Sequence, residues 1–309
     1  MEPINWYGEH PCDGLDAADP FLAGIQRFPV KSLDPEDRET ARLSTDGALE
    51  GDRQWAIVDR PPEEPYDPST ADVTGTGDYV NGKKTAEIHR IRSQFHPPNE
   101  GGPAVSVREH SSTTAESRRF DLWTGDPESD ERTVHEELND WLSEHFDRPV
   151  SVRRTARGQH DDRERHGPTV ISTATLREVA AWFEITVESA RRRFRANLEL
   201  GGVPPFWEDR LFEDTGSVVR FRIGDAFLEG VTPCQRCAVP GRDPDTGAET
   251  DGFRETFIRR RRETMPPWTD SDRFDHPFRL MVNTRVPDAE DGKRVSVDDP
   301  VEIEGPVPE

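Results

Sequence analysis

The sharpest chemical feature of the chain is Pro233-Cys234-Gln235-Arg236-Cys237, two cysteines with two residues between them. This spacing admits four readings. A structural zinc site takes about four ligands; Cys12 is the one remaining cysteine, so histidine would have to complete it. A thioredoxin-like redox pair belongs at a strand-to-helix junction near the chain start. Here the pair lies late and leads into the turn-rich Gly241-Arg242-Asp243-Pro244-Asp245-Thr246-Gly247. A single thiolate suits a soft transition metal, and Arg236 beside it favours the ionised sulfur. In the plainest reading both cysteines are small buried hydrophobes.

Composition bounds what surrounds this feature. The chain has 309 residues, enough for about two domains. Its net charge is −22, only four of its 40 basic residues are lysine (Lys31, Lys83, Lys84, Lys293), and only 32% of residues are hydrophobic. Such a surface repels nucleic-acid phosphates, so nucleic acid is not an expected partner. Acidic excess, few lysines and a lean core fit a cytoplasm full of salt, where screening removes most of the self-repulsion. Disorder has a similar composition, but seven tryptophans and fifteen phenylalanines argue against disorder throughout. No apolar run approaches the ~18 residues of a membrane span. No basic segment followed by an apolar one opens the chain, so a cytoplasmic location is expected. Three cysteines exclude a disulfide-built scaffold.

The elements that must position the cysteines read as β-rich with a few helices. Residues 1–22 look like a polar arm. Strands are expected over 24–32 (interrupted at Pro29), 54–58, 88–95 and around Val105 and Val107. Residues 60–82 read as an exposed loop insertion. Val134, Leu138, Trp141, Leu142 and Phe146 form one helical stripe, with Thr133 and Glu136 as a capping box. A second helix starts at Ser172 or Thr173 and runs to Phe183; a third spans 187–193 with Thr186 as cap. Strands return at Val219, Phe221 and Ile223, and again over 294–303. The basic run 259–262 reads as a helix surface paired with the acidic excess. The texture changes near residue 150.

Six separated segments then resemble one known family. They are Arg27-Phe28-Pro29-Val30-Lys31-Ser32, Gly51-Asp52-Arg53-Gln54-Trp55, Ile171-Ser172-Thr173-Ala174-Thr175-Leu176 and Arg193-Phe194-Arg195-Ala196-Asn197. The fifth is Pro205-Phe206-Trp207-Glu208-Asp209 with Arg222-Ile223-Gly224-Asp225, and the sixth is 233–237 with Asp243-Pro244-Asp245-Thr246-Gly247. In this order they are similar to the MOSC family, named for the C-terminal domain of molybdenum cofactor sulfurase. In particular they resemble the two-part subfamily of the mitochondrial amidoxime reducing component and its bacterial relatives. The departures are Ala196 in place of proline and Ala238-Val239-Pro240-Gly241-Arg242 in place of a Thr-rich stretch; the resemblance implies that both change the wall facing the substrate.

The resemblance implies an α+β, predominantly β fold: an N-terminal β-barrel-like domain (23–150) and a C-terminal MOSC β-barrel with flanking helices (151–309). It implies a molybdenum–molybdopterin cofactor between them, with Cys237 as catalytic residue and metal ligand and Cys234 as a neighbour. Lys31, Ser32, Arg53, Arg195 and Asn197 match cofactor-holding positions. Gln235 and Arg236 adjoin the ligand, and Ser172 and Thr173 open a helix whose free N–H groups suit an anion. The loop Arg165-His166-Gly167-Pro168 sits where the family also touches the pterin. The implied activity is reduction of N-hydroxylated or similar N–O or S–O small molecules. An iron–sulfur cluster needs four cysteines, so electrons are expected from a separate ferredoxin-like or flavin reductase protein. No pyridoxal-phosphate domain is expected. The alternative is a sulfur-carrier or cofactor-binding protein that uses a cysteine persulfide, or simple cofactor storage, without redox turnover.

Overall fold

The computed structural model describes residues 19–45, 47–65, 79–99, 102–110, 116–122, 136–154 and 167–309. In chain order the first half gives β1 (Phe21–Arg27), β2 (Glu36–Arg38), β3 (Thr40–Ser44), β4 (Gly47–Leu49), β5 (Trp55–Val58), β6 (Ile91–Asn99), β7 (Gly102–Glu109), β8 (Arg118–Asp121), α1 (Glu136–Phe146) and β9 (Ser151–Arg154). The second half gives β10 (Val170–Ser172), α2 (Thr173–Trp182), α3 (Val187–Phe194), β11 (Leu198–Gly201), β12 (Ser217–Ile223), β13 (Ala226–Gln235), α4 (Phe253–Glu263), β14 (Arg279–Arg285), β15 (Arg294–Ser296) and β16 (Val301–Pro308). The expected predominance of strands is what the chain adopts.

The largest sheet has eight strands in the order β16-β12-β13-β14-β10-β11-β1-β2. β1 therefore joins a sheet built mainly by the second half, antiparallel to β11. A smaller sheet, ordered β15-β3-β4, repeats the exchange, with β15 paired to β3. Around the large sheet packs a core that includes Leu22, Leu198, Phe221, Leu228 and Val282. A second core, with Trp55, Ile57, Ile88, Ile91, Leu138 and Leu142, lies under β5 to β9 and α1. A third holds α2, α3 and α4 against the sheet through Leu176, Phe194, Phe253 and Phe257.

Several expectations are displaced. β1 starts at Phe21, within the expected arm, because Leu22 and Ile25 are core residues. It stops at Arg27 and not at Ser32, since Pro29 has no N–H for a ladder and Ser32 turns into the left-handed region (φ 72°). Ile88 does not alternate into a strand. It lies in a 3₁₀ turn, Ala86–Arg90, where three-residue spacing buries Ile88 together with Ile91. The basic run is not all surface: Arg261 is fully buried against Asp209 and the Phe206 ring. It continues the stripe of Phe253 and Phe257, eight and four residues earlier. Tyr79 to Gly82, the end of the expected insertion, is buried too; residues 66–78 of that insertion lie outside the described residues, as do residues 1–18 of the arm, Thr133 and Val134. α2 and α3 carry the expected caps, Ser172 on Thr175 and Thr186 on Ser189. Among the described residues no helix is long and apolar enough to cross a membrane.

Candidate functional site

The cysteine pair sits where β13 ends. Gln235 opposes Arg279 of β14, and the Arg236 amide donates to the Phe278 carbonyl at 3.0 Å. Beyond Cys237 the chain enters a 3₁₀ turn, Val239–Gly241, and then the Asp-Pro-Asp-Thr-Gly segment. That segment is a self-contained turn: Asp243 Oδ1 accepts from the Asp245 and Thr246 amides and from the Thr246 hydroxyl. Gly247 ends it at φ 73°, and a side chain there would collide with the Ala86 carbonyl. Asp245 then ties the turn to Arg192 of α3 (2.8 Å) and Arg92 of β6 (3.2 Å). The loop carrying Cys237 is thus clamped to both halves of the chain.

A cavity of about 610 Å³ opens beside this loop. Lys31, Ser32, Arg53, Arg195, Asn197, Gln235, Arg236 and Cys237 all line it, so eight residues expected from separate segments meet at one hollow. Gly167, from the loop expected to touch the pterin, lines it as well; Arg165 and His166 lie outside the described residues. The backbone explains the convergence. Ser32, Arg53, Arg195 and Met281 all have positive φ, 72°, 46°, 57° and 63°. Each non-glycine residue held this way costs ~1–2 kcal/mol, and such strain gathers at functional sites. The Arg53 amide donates to the Phe28 carbonyl, while Asp52 accepts from the Phe28 amide and pairs with the Arg53 guanidinium. Lys31 is 8% exposed, with its ammonium 5.4 Å from the Tyr79 ring centre.

Two expected residues stand apart. Ser172 and Thr173 do not line this cavity. Ser172 is fully buried, and its hydroxyl caps α2 and bonds Thr175; Thr173 donates to Glu199 at 2.7 Å. The helix N-terminus is satisfied by its own cap. Asn197 reaches the wall but spends its side chain on the backbone: Oδ1 accepts from Thr169 and Nδ2 donates to the Gln26 carbonyl at 3.1 Å. It stitches β1 to β11 and places its neighbour Arg195.

Arg236 also differs from expectation. One guanidinium nitrogen lies 3.2 Å from the Cys234 sulfur and 3.2 Å from the Met281 sulfur. The other donates to the Phe194 carbonyl at 3.0 Å, fastening the cysteine loop to the turn that ends α3. The arginine therefore contacts Cys234 rather than Cys237. Both cysteines are free and partly exposed. Among the described residues no three of His, Cys, Asp and Glu gather as a metal site, so these residues do not complete a zinc centre around the pair.

Several lining residues had no motif to announce them: Asp34, Asn81, Lys83, His89, Arg192 and Met281. The scarcity of lysine was a signal for Lys83, which stands beside Lys84 in a chain with four. Seven lining side chains are lysine or arginine and one, Asp34, is acidic. Burial pushes the Asp34 carboxyl above its ordinary range, opposed by the Ser93 amide and by Arg192 and Arg195. Burial likewise lowers the His89 imidazole, with Arg195 and Arg242 acting in the same sense against the Gly82 carbonyl. A chain of net charge −22 has thus collected cations around one hollow.

Two family models match the chain, the MOSC N-terminal beta barrel domain over residues 20–149 and the MOSC domain over residues 162–302. No curated protein sequence matches it. Among solved structures, the YUAD protein from Bacillus subtilis is similar over 92% of this chain and 94% of its own, at 11% identity and a TM-score of 0.33. The strand-rich halves and the order of the matched segments agree with the two family models, and the chain belongs to the MOSC family in its two-part form, a family known for binding the molybdenum cofactor.

Proposed function

We propose that the protein holds a molybdenum–molybdopterin cofactor in the cationic cavity, with Cys237 as protein ligand to the metal. In this reading it reduces N-hydroxylated compounds, or similar N–O and S–O compounds. The observation that carries it is the meeting of a free cysteine with seven cations in one hollow of an acidic chain. The residues fit such a group. A thiolate is a soft ligand suited to molybdenum. Lys31, Arg53 and Arg195 offer the charge-assisted donors that a phosphate takes. Arg236 Nε is a buried donor in the wall with no hydrogen-bond partner. An unmet buried donor costs ~1–3 kcal/mol, which an acceptor atom of the ligand would relieve.

When bound, a molybdenum–pterin group supplies two-electron oxygen-atom transfer. Overall, an N–OH group takes up two electrons and two protons and becomes N–H plus water. The chain's own residues bind and orient: Arg236 fixes the loop that presents Cys237, and the left-handed turns at Ser32, Arg53 and Arg195 aim the cationic wall. The electrons come from a separate ferredoxin-like or flavin reductase protein, and the setting is the cytoplasm.

The test is molybdenum and pterin content after production in a host that makes the cofactor, with purification in high salt. About one molybdenum per chain is expected. Cys237→Ser should lose the metal with the fold retained, and Cys234→Ser should keep it. If both variants keep molybdenum, the ligand is misassigned.

A second reading has one observation in its favour. The Arg236 guanidinium donates to the Cys234 sulfur at 3.2 Å, a contact that would hold that sulfur in place as a persulfide carrier needs. Metal-free protein with cyanide-labile sulfur would support that reading over the first.

A further inference from the structure

We infer that Asp34 reads the aminopyrimidinone edge of the pterin, its carboxylate accepting from the ring N–H and from the exocyclic amine. This rests on the reading of the cationic cavity as the cofactor site. A hollow that gathers seven cations in a chain of net charge −22 keeps one acid in its wall, Asp34. The cations suit the phosphate, but lysine and arginine cannot accept a hydrogen bond. The pterin edge presents donors, and a buried donor without an acceptor is costly.

Asp34 has acceptor capacity to spare. An ionised carboxylate offers about four lone-pair sites. Oδ2 takes the Ser93 amide at 2.8 Å, and the Asp34 amide donates back to the Ser93 hydroxyl at 3.0 Å, so the carboxylate is held in place. Among the described residues Oδ1 takes no hydrogen bond: its nearest cations, Arg92 at 3.3 Å and Arg192 at 3.7 Å, both donate to Asp245 Oδ1 instead. The burial that raises the Asp34 carboxyl would be offset by N–H donors of a ligand. Two amide side chains of the same wall, Asn81 and Asn197, are by contrast spent on the backbone. The surroundings suit a flat ring. Ile91 stands two residues before Ser93 on the same face of β6, and Ile88 shares its core; both line the cavity. Arg192, in the same wall, sets a donor beside the Asp34 acceptors, which matches the ring carbonyl next to the ring N–H.

The test uses the full chain, produced in a host that does not make the cofactor and titrated with two fluorescent probes, carboxypterin and carboxylumazine. In the lumazine a carbonyl replaces the exocyclic amine, which sets acceptor against acceptor at Asp34. Wild type should favour the pterin by about tenfold or more, because the carboxylate facing that carbonyl is left unmet. Asp34→Asn keeps an acceptor for the Ser93 amide and should bind the two probes equally. A merely structural role would weaken both probes alike and leave their ratio unchanged. An unchanged ratio in Asp34→Asn overturns the assignment. So does a wild type that binds the two probes alike or binds neither, a result that needs no variant to fold. Production in a host that makes the cofactor separates this from the underlying reading: wild type purified from it without pterin overturns the cavity as the cofactor site. A guanine base carries the same edge, and guanosine monophosphate released by acid from loaded wild type would overturn the pterin as its source.

Discussion

The Arg195 guanidinium lies 4.2 Å from the centre of the Phe28 ring, and the Arg53 guanidinium lies 5.1 Å from the same ring. One aromatic residue just past β1 thus seats two cations from distant parts of the chain. Stacking of the planar guanidinium on an aromatic face is one of the ways arginine serves phosphate sites. The contact itself is worth about 0.5–2 kcal/mol.

Arg195→Gly separates binding from folding. Glycine relieves the left-handed strain at this helix C-cap (φ 57°), a gain of about 1 kcal/mol, against loss of the contact with Phe28. Unfolding stability in urea should therefore change by no more than about 1 kcal/mol. Molybdenum and pterin retention should fall severalfold. Full retention would show that Arg195 is a structural cap and does not hold the cofactor.

Much of this site was legible because its motifs are local. Lys31, Arg53, Arg195 and Cys237 lie in short segments whose order resembles the family, and all four line the cavity. Helices α2 and α3 were legible from their stripes and their Ser172 and Thr186 caps. What failed was tertiary. Nothing local says that Thr175, the partner of the Ser172 cap, goes on to bond the buried Glu208, or that Arg236 reaches Cys234 and Phe194. The inward face of α4 was masked by its run of arginines, of which Arg261 packs inward against Asp209. His89 enters from a segment whose alternation reads as a strand, where the long-range packing of Ile88 and Ile91 decides otherwise, and Lys83 lies just past the expected insertion, outside any element read from the sequence.

Gly247→Ala tests the clamp behind the cysteine loop. A methyl at φ 73° is strained, and it meets the rigid backbone oxygen of Ala86, which cannot rotate away. The expected loss is at least ~2 kcal/mol in urea unfolding, with lower molybdenum content in the protein that still folds. An unchanged unfolding midpoint would mean that the Asp243–Gly247 turn does not hold the loop.

The net charge of −22 predicts a salt requirement. Raising KCl from about 0.1 M to about 1 M shortens the screening length from about 10 Å to about 3 Å. Repulsion among the acidic groups then weakens, so the unfolding temperature should rise by many degrees. The cationic cavity should respond in the opposite sense: salt screens its attraction for an anion and slows cofactor capture. A melting temperature that falls with salt would contradict the reading of the acidic surface.

Glu208 sets a pH dependence of stability. Its side chain is fully buried, Oε2 accepts from the Thr175 hydroxyl at 3.1 Å, and Oε1 has no partner. Burial, reinforced by the neighbouring Asp209, raises its pKa from 4.5 to about 7. The folded protein therefore keeps this proton over a range in which the unfolded chain has released it. Stability from this group is complete below about pH 4.5 and is lost as pH rises towards 7, by about 3 kcal/mol in total at ~1.4 kcal/mol per unit. Carboxylates held low by arginine, such as Glu199 and Glu229, act in the opposite sense at lower pH. The measurement is accordingly the difference between wild type and Glu208→Gln in urea unfolding across pH 4 to 8. Glutamine keeps an acceptor for Thr175 but cannot ionise, so the variant should gain on wild type steadily up to about pH 7 and then run parallel to it. A constant difference across the range would mean that Glu208 ionises alike in the folded and unfolded chains.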